Sequence, residues 1–398
     1  MTRPLHLAVA LDGAGWHPSA WRLPTARPTE LLTAGYWVDL ARRAEEGLLD
    51  LVTFEDAFAL QSTSTTGPDH RTDRVRGRLD AVLVAARVAP LTQHVGLVPT
   101  ATVTHTEPFH VSKAIATLDY VSEGRGGWRP QVSARPEEVA LFGRREVWGD
   151  PFVDDEATRA LVRDLFEEAG DAVEVVRRLW DSWEDGAEIR DVASGRFVDR
   201  DQLHYVDFEG RFFSVRGPSI TPRPPQGQPV VVALAHAEVP RAFAARSADV
   251  VLITPADNAS ATAQVAEIVA VRRDAGRTGV DHVFGELVVL LDDDQARADE
   301  RWAQLEAWSG EPFTSDAEVF VGTPQGLADL LLARAEAGLT GFRLRPAALP
   351  QDLDAIVDGL VPELQRRGAF RTAYEAGTLR DRLGLERPAN RYATGGTR

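Results

Sequence analysis

The sequence predicts an α/β fold, a (β/α)8 TIM barrel with insertions after its fourth strand. Eight apolar runs recur along the 398 residues, each followed by a stretch with helical spacing. At the centre of the pattern, an apolar run at 94–104, a helix over 108–122 and a second run at 126–133 follow one another through short connections. That is the signature of a parallel β-α-β unit, and ligands of such sheets gather at the carboxyl ends of the strands. A doubly wound sheet is the alternative, but it offers no reason for eight units.

The elements follow in order. A first buried strand at 5–11 ends in the glycine-rich loop Asp12-Gly-Ala-Gly-Trp16, and a helix over 34–47 closes on a glycine C-cap. Strand two is 49–55 (LDLVTFE) with Asp56 at its exit; a Ser/Thr/Gly loop at 61–73 leads to a helix at 78–89. After strand four comes a loop at 134–156, too long for an ordinary βα connection. A long helix at 157–183 follows, then an insertion of short strands and turns at 186–225 that ends in a proline cluster. Alternation resumes with strands at 229–235, 249–254, 283–291 and 341–346, and helices at 239–247, 259–275, 294–308, 324–337 and 352–367. We read 1–398 as one barrel domain with a C-terminal tail at 368–398.

Composition narrows the function. The net charge of −16 repels phosphate backbones, so nucleic acid is not an expected partner. No apolar run approaches membrane-spanning length and no leader opens the chain, so a soluble, cytoplasmic protein is expected. With no cysteine, disulfides, thiolate metal sites and cysteine nucleophiles are excluded. The nine histidines form no i, i+4 helix pair, and no metal site is expected. No GxGxxG, P-loop, HExxH or GxSxG stands in its required context.

The residues with chemistry to offer cluster at strand exits. Asp56 is placed to accept from a ligand at the rim, though an Asp there also serves as a turn former or cap. Thr102 and Thr104 share one face of strand three, where their hydroxyls suit a polar heterocycle or simply a strand. His110 opens the helix after strand three. Trp16, His17 and Trp21 on the first loop either line a pocket or anchor the loop.

Longer stretches carry a resemblance. GWHPSAWR at 15–22, the strand with its terminal Asp at 49–56, and the strand-helix-strand run at 100–133 are similar to those of the bacterial luciferase-like flavin-dependent monooxygenases. The similarity is to the nitrilotriacetate/dibenzothiophene-sulfone monooxygenase branch. LWDSWE at 179–184, GPSITPRPPQGQP at 217–229, LVPELQRRG at 360–368, and Thr378-Leu-Arg with RPANRY at 387–392 extend it over nearly the whole chain. The resemblance implies an enzyme, an oxidoreductase that uses reduced FMN from a separate NAD(P)H:flavin reductase and O2 to place one oxygen atom on a small organic substrate. It also implies a homodimer or homotetramer.

The cofactor residues implied are Asp56, Thr102, Thr104 and Arg129, with Ala235, His236 and Ala237 around the phosphate; His17 and His110 are the catalytic candidates. Here the chain departs from the family. Arg129 stands where the family has asparagine, and Val162 and Phe166 where it has His and Tyr. Ala235, His236 and Ala237 replace a phosphate-binding Gly-Ser-Ser. Loss of several such bonds, at roughly 0.5–1.5 kcal/mol each, weakens FMN binding a hundredfold or more. Two alternatives follow: a member with a degenerate flavin site acting as a non-catalytic or ligand-binding subunit, and an oxidoreductase that uses deazaflavin F420.

Overall fold

In the computed structural model of the chain, which describes residues 4–62, 69–143, 155–277 and 282–393, eight parallel strands close on themselves. They are β1 (His6–Leu11), β2 (Leu51–Phe54), β3 (Gly96–Thr102), β4 (Gly127–Gln131), β5 (Val230–Leu234), β6 (Val250–Ile253), β7 (His282–Leu291) and β8 (Gly341–Pro346). Strands β1 to β6 lie side by side in chain order, β8 flanks β1 on the other side, and β6 pairs with β7 to shut the ring. The predicted TIM barrel is the observed fold. No helix among the described residues is long and apolar enough to cross a membrane.

Among the described residues, nine helices set the outer layer: α1 (Ala34–Glu46), α2 (Ala81–Val88), α3 (Pro108–Val121), α4 (Pro136–Phe142), α5 (Glu156–Asp181), α6 (Glu238–Ser247), α7 (Asn258–Asp274), α8 (Gln295–Ser309) and α9 (Pro324–Glu336). A last helical run extends from Gln351 to Arg366. Outward strand residues such as Val9, Val52, Trp128 and Phe342 pack with buried faces of these helices in the main core. Trp128 meets Trp180 of α5 edge to face, 6.5 Å between ring centroids.

Two features depart from the sequence reading. The loop expected at 134–156 contains α4, which Pro136 starts and Gly143 ends in a left-handed conformation; its seven residues are too few for a periodic signal, and 144–154 lie outside the described residues, as do 63–68 of the loop at 61–73. A strand at Glu318–Gly322, absent from the expectation, pairs with the second half of β7. Strand β7 is ten residues long, so β6 covers only its first half and leaves an edge to be filled. The short strands and turns expected at 186–225 are two small hairpins, Glu188–Asp191 with Arg196–Val198 and Phe208–Glu209 with Ser214–Val215.

The tail closes the barrel's amino end. Leu379, Leu383 and Leu385 join inward residues of the strands, among them Ala8, Leu51, Val98, Val230 and Phe284, in one buried cluster. Around this plug the strongest sequence motifs meet. Asp119 accepts from Gly126 N at 3.1 Å and from Gln226 N at 3.0 Å, and Gln226 Oε1 in turn accepts from Arg380 N at 3.0 Å. Gly126 leaves no room for a Cβ, which would sit 2.9 Å from the Asp119 backbone. Arg223 Nε donates to Asp181 at 3.0 Å, and Arg387 pairs with Asp185 at 2.6 Å. These motif residues clasp tail, insertion and α3 together on the face opposite the strands' carboxyl ends.

Candidate functional site at the carboxyl rim

A cavity of about 750 Å³ opens where the strands end, within the usual range for small-molecule sites. Its wall is built by the loop after β1 (Asp12 to Pro18), the exit of β2 (Glu55 to Ser62), Arg74 and Arg78, the path from β4 into α4 (Gln131 to Glu138), Val162 and Phe166 of α5, His236 and Ala237 after β5, and the segment Ser309 to Thr314. The first loop reaches this place because Gly15 permits it: at φ +121° it lies so close to Ala347 that a Cβ would sit 2.4 Å from the carbonyl oxygen. Trp16 N and His17 N then donate to Pro346 and Ala347 at 2.9 Å each, docking the loop on the end of β8.

Below the cavity the barrel interior is ionic. Period-two alternation turns Thr53, Thr100, Arg129, Glu286, Arg343 and Arg345 inward. Glu55 binds both Arg129 and Arg343, the latter at 2.8 Å, and Arg345 joins Glu286 at 2.8 Å and Asp316 at 2.6 Å. Arg129 Nε also donates to Thr100 Oγ1 at 2.9 Å. The two guanidinium groups hold Glu55 down at about 2 against the opposing effect of burial. This layer is a rigid, charge-balanced floor, and Glu55 is its one carboxylate in the cavity wall.

Each candidate residue now has a place. Asp56 lines the cavity, but its two oxygens accept from Ala57 N at 2.8 Å and Ala81 N at 2.9 Å, so it fixes the start of α2; burial raises its pKa. Thr102 and Thr104 are buried outside the wall, and Thr104 Oγ1 accepts from Ser133 N at 2.9 Å, tying the exits of β3 and β4. Arg129 is locked in the ionic floor. Ala235 belongs to the main core and donates its N–H to Leu252. His236 and Ala237 both line the cavity and are exposed. His110 is exposed on the first turn of α3, outside the wall. Trp16 lines the cavity beneath Arg345, 5.5 Å from guanidinium carbon to ring centroid, whereas Trp21 lies outside the wall and donates to Asp73 O. Among the described residues no group of three or more acidic or histidine side chains could hold a metal ion.

His17 has the most developed environment. It is buried in the wall, stacked on Phe313 (5.2 Å) and edge-on to Trp302 (5.3 Å). Its Nδ1 accepts from Ser19 N at 3.2 Å, which puts the proton on Nε2. That Nε2 has no partner. Burial, helped by Arg74, lowers the pKa to about 4, so the ring is a neutral hydrogen-bond donor at physiological pH.

Sequence reasoning missed Glu55, Arg343, Arg345, Arg78 and Glu138. Alternation in LVTFE and GFRLRP would have placed Glu55, Arg343 and Arg345 inside the barrel. Arg78, bidentate to Asp12 at 2.7 and 3.1 Å, carries no local signal because its partner is distant in sequence.

The chain matches the family model for luciferase-like monooxygenase over residues 16–341. It is 30% identical to N-acetyl-S-(2-succino)cysteine monooxygenase of Bacillus subtilis (strain 168), over 98% of this chain and 99% of the relative. It is equally identical to nitrilotriacetate monooxygenase component A of Aminobacter aminovorans, over 98% of each. Its fold is similar to that of the long-chain alkane monooxygenase LadA, with a TM-score of 0.86 at 24% identity over 96% of each chain.

Proposed function

The chain belongs to the luciferase-like monooxygenase family, and on that premise we propose that it oxidises a small organic substrate with O2 and reduced FMN bound in the rim cavity. The residues fit the group. The N-terminus of α6 faces the cavity beside His236, and Ala237 at its cap position supplies no side-chain hydrogen bond, which leaves first-turn N–H groups open to a phosphate. This open helix end is the observation that carries the placement. Val162 and Phe166 offer apolar wall to a ring system, and the buried Nε2–H of His17, which has no partner, is a donor in reserve for a polar atom that displaces its aromatic packing.

Reduced FMN, when bound, supplies the electrons that activate O2. The chain's own residues bind, orient and exclude water. The ionic floor holds the strand ends rigid, Phe313 and Phe166 shield the interior, and His17 donates a hydrogen bond without changing charge. The absence of a dinucleotide fingerprint supports a separate NAD(P)H:flavin reductase as the electron source. We place the enzyme in the cytoplasm as a homodimer or homotetramer, which sizing of the purified protein checks.

The test is an anaerobic titration with reduced FMN and, in parallel, reduced riboflavin. The reading expects saturable FMN binding, weaker riboflavin binding, and flavin oxidation on admission of O2. No binding of either flavin up to millimolar concentration overturns it, and binding of F420 in their place would identify a changed cofactor.

A further inference from the structure

Among the described residues, one carboxylate of the cavity wall keeps a buried oxygen without a hydrogen-bond donor. Arg78 is paired with Asp12, Arg74 with Glu311, and Glu55 with Arg129 and Arg343. Both oxygens of Asp56 accept backbone N–H groups. Glu138, on α4, is different. It is 1% exposed, its Oε1 accepts only a long bond from Ala59 N at 3.3 Å, and its Oε2 has no partner. Arg135, one turn earlier, is directed to Glu137 at 3.4 Å.

A buried carboxylate oxygen without a donor is destabilising, and such a cost persists where a ligand relieves it. Glu138 bridges the exits of β2 and β4, three strands round the ring from the loop that carries His17. The phosphate end proposed for FMN lies beyond it, after β5.

We propose that Glu138 is a specificity-determining residue, and that the substrate class of this cavity is an organic cation whose protonated amine draws the buried Glu138 carboxylate towards the cavity and becomes the donor that its Oε2 lacks. The proposal rests on the rim cavity being the substrate site, as in the preceding reading. The charge inventory supports it. With the arginines of the wall paired, the carboxylates of Glu138 and Asp56 are left in excess among the described residues, which favours a cationic ligand and disfavours an anionic one. The aromatic and aliphatic wall accommodates the apolar remainder of such a molecule.

The experiment is isothermal titration of the full-length protein at pH 7 with 2-naphthylmethylamine, 2-naphthylmethanol and 2-naphthoate, with and without FMN. The wild-type protein is expected to bind the ammonium at least about tenfold more tightly than the alcohol, as a charge-assisted hydrogen bond provides, with the carboxylate weakest. Glu138→Gln should abolish that preference while the alcohol's affinity stays within about threefold. Equal affinities for the three, no binding of any, or a preference unchanged in Glu138→Gln overturns the proposal. So does a loss of FMN affinity in Glu138→Gln without a change in amine preference, which would assign the carboxylate to the flavin. The wild-type series alone decides the matter if the variant does not fold. Amine preference without FMN binding would sink the flavin reading and leave this one standing.

Discussion

Arg129 and Glu55 form an ion pair inside the barrel, and Arg343 holds the same carboxylate from the other side. The arginine that stands where the resemblance implies asparagine is therefore committed to the floor beneath the cavity. Removing it strands Glu55 against one guanidinium in a desolvated site. Arg129→Met is expected to lower the unfolding free energy by about 3–5 kcal/mol, read from urea midpoints at pH 7.

Acid should destabilise the fold in two stages. His17 has a folded pKa of about 4 against 6.5 when free, so the unfolded chain binds the extra proton and stability falls as pH drops from 6.5 towards 4. Glu55 has a folded pKa of about 2 against 4.5, so its contribution is full above 4.5 and is lost as pH falls from there towards 2. Denaturation midpoints at stepped pH values check both. His17→Phe should flatten the upper stage alone.

At the α6 end of the cavity, where we propose that the phosphate binds, His236→Ala is expected to weaken FMN binding about three- to tenfold and leave riboflavin unchanged, since only FMN carries the phosphate. Glu238 lies in the first turn of α6, where its charge opposes an anion; Glu238→Gln should tighten FMN. Equal effects of either substitution on both flavins would remove the phosphate from this helix end.

The plug at the amino end predicts that the tail is needed for folding. Leu379 is fully buried among strand residues, and Leu379→Ala should cost about 2–5 kcal/mol. Truncation before Thr378 also deletes Leu383, Leu385 and Arg380, and with a total stability of about 5–15 kcal/mol it should leave an insoluble product on expression.

Asp119→Asn tests the clasp. The amide replaces one acceptor oxygen with a donor that faces Gly126 N or Gln226, so a loss of about 2 kcal/mol in unfolding free energy is expected. The variant should keep its FMN affinity within about twofold, because Asp119 lies at the opposite end of the barrel from the cavity.

The sequence by itself determined the barrel, its strand order and the family, because apolar runs, helical spacing and turn residues are local and each strand fits only one place in a ring of parallel neighbours. It also marked Asp119, Arg223, Gln226 and Asn390 as parts of distinctive motifs. Only the tertiary structure decided that these residues clasp the amino end, far from the chemistry, since their partners lie up to 209 positions away. The same holds at the rim. Thr104 and Arg129 stand on strands that reach the cavity, yet their polar atoms are taken by Ser133, Thr100 and Glu55. His17 and Glu138 keep unpartnered atoms in its wall. Which polar groups a barrel leaves free depends on how its closure distributes partners among strands, and that is a property of the closed ring rather than of any stretch of chain.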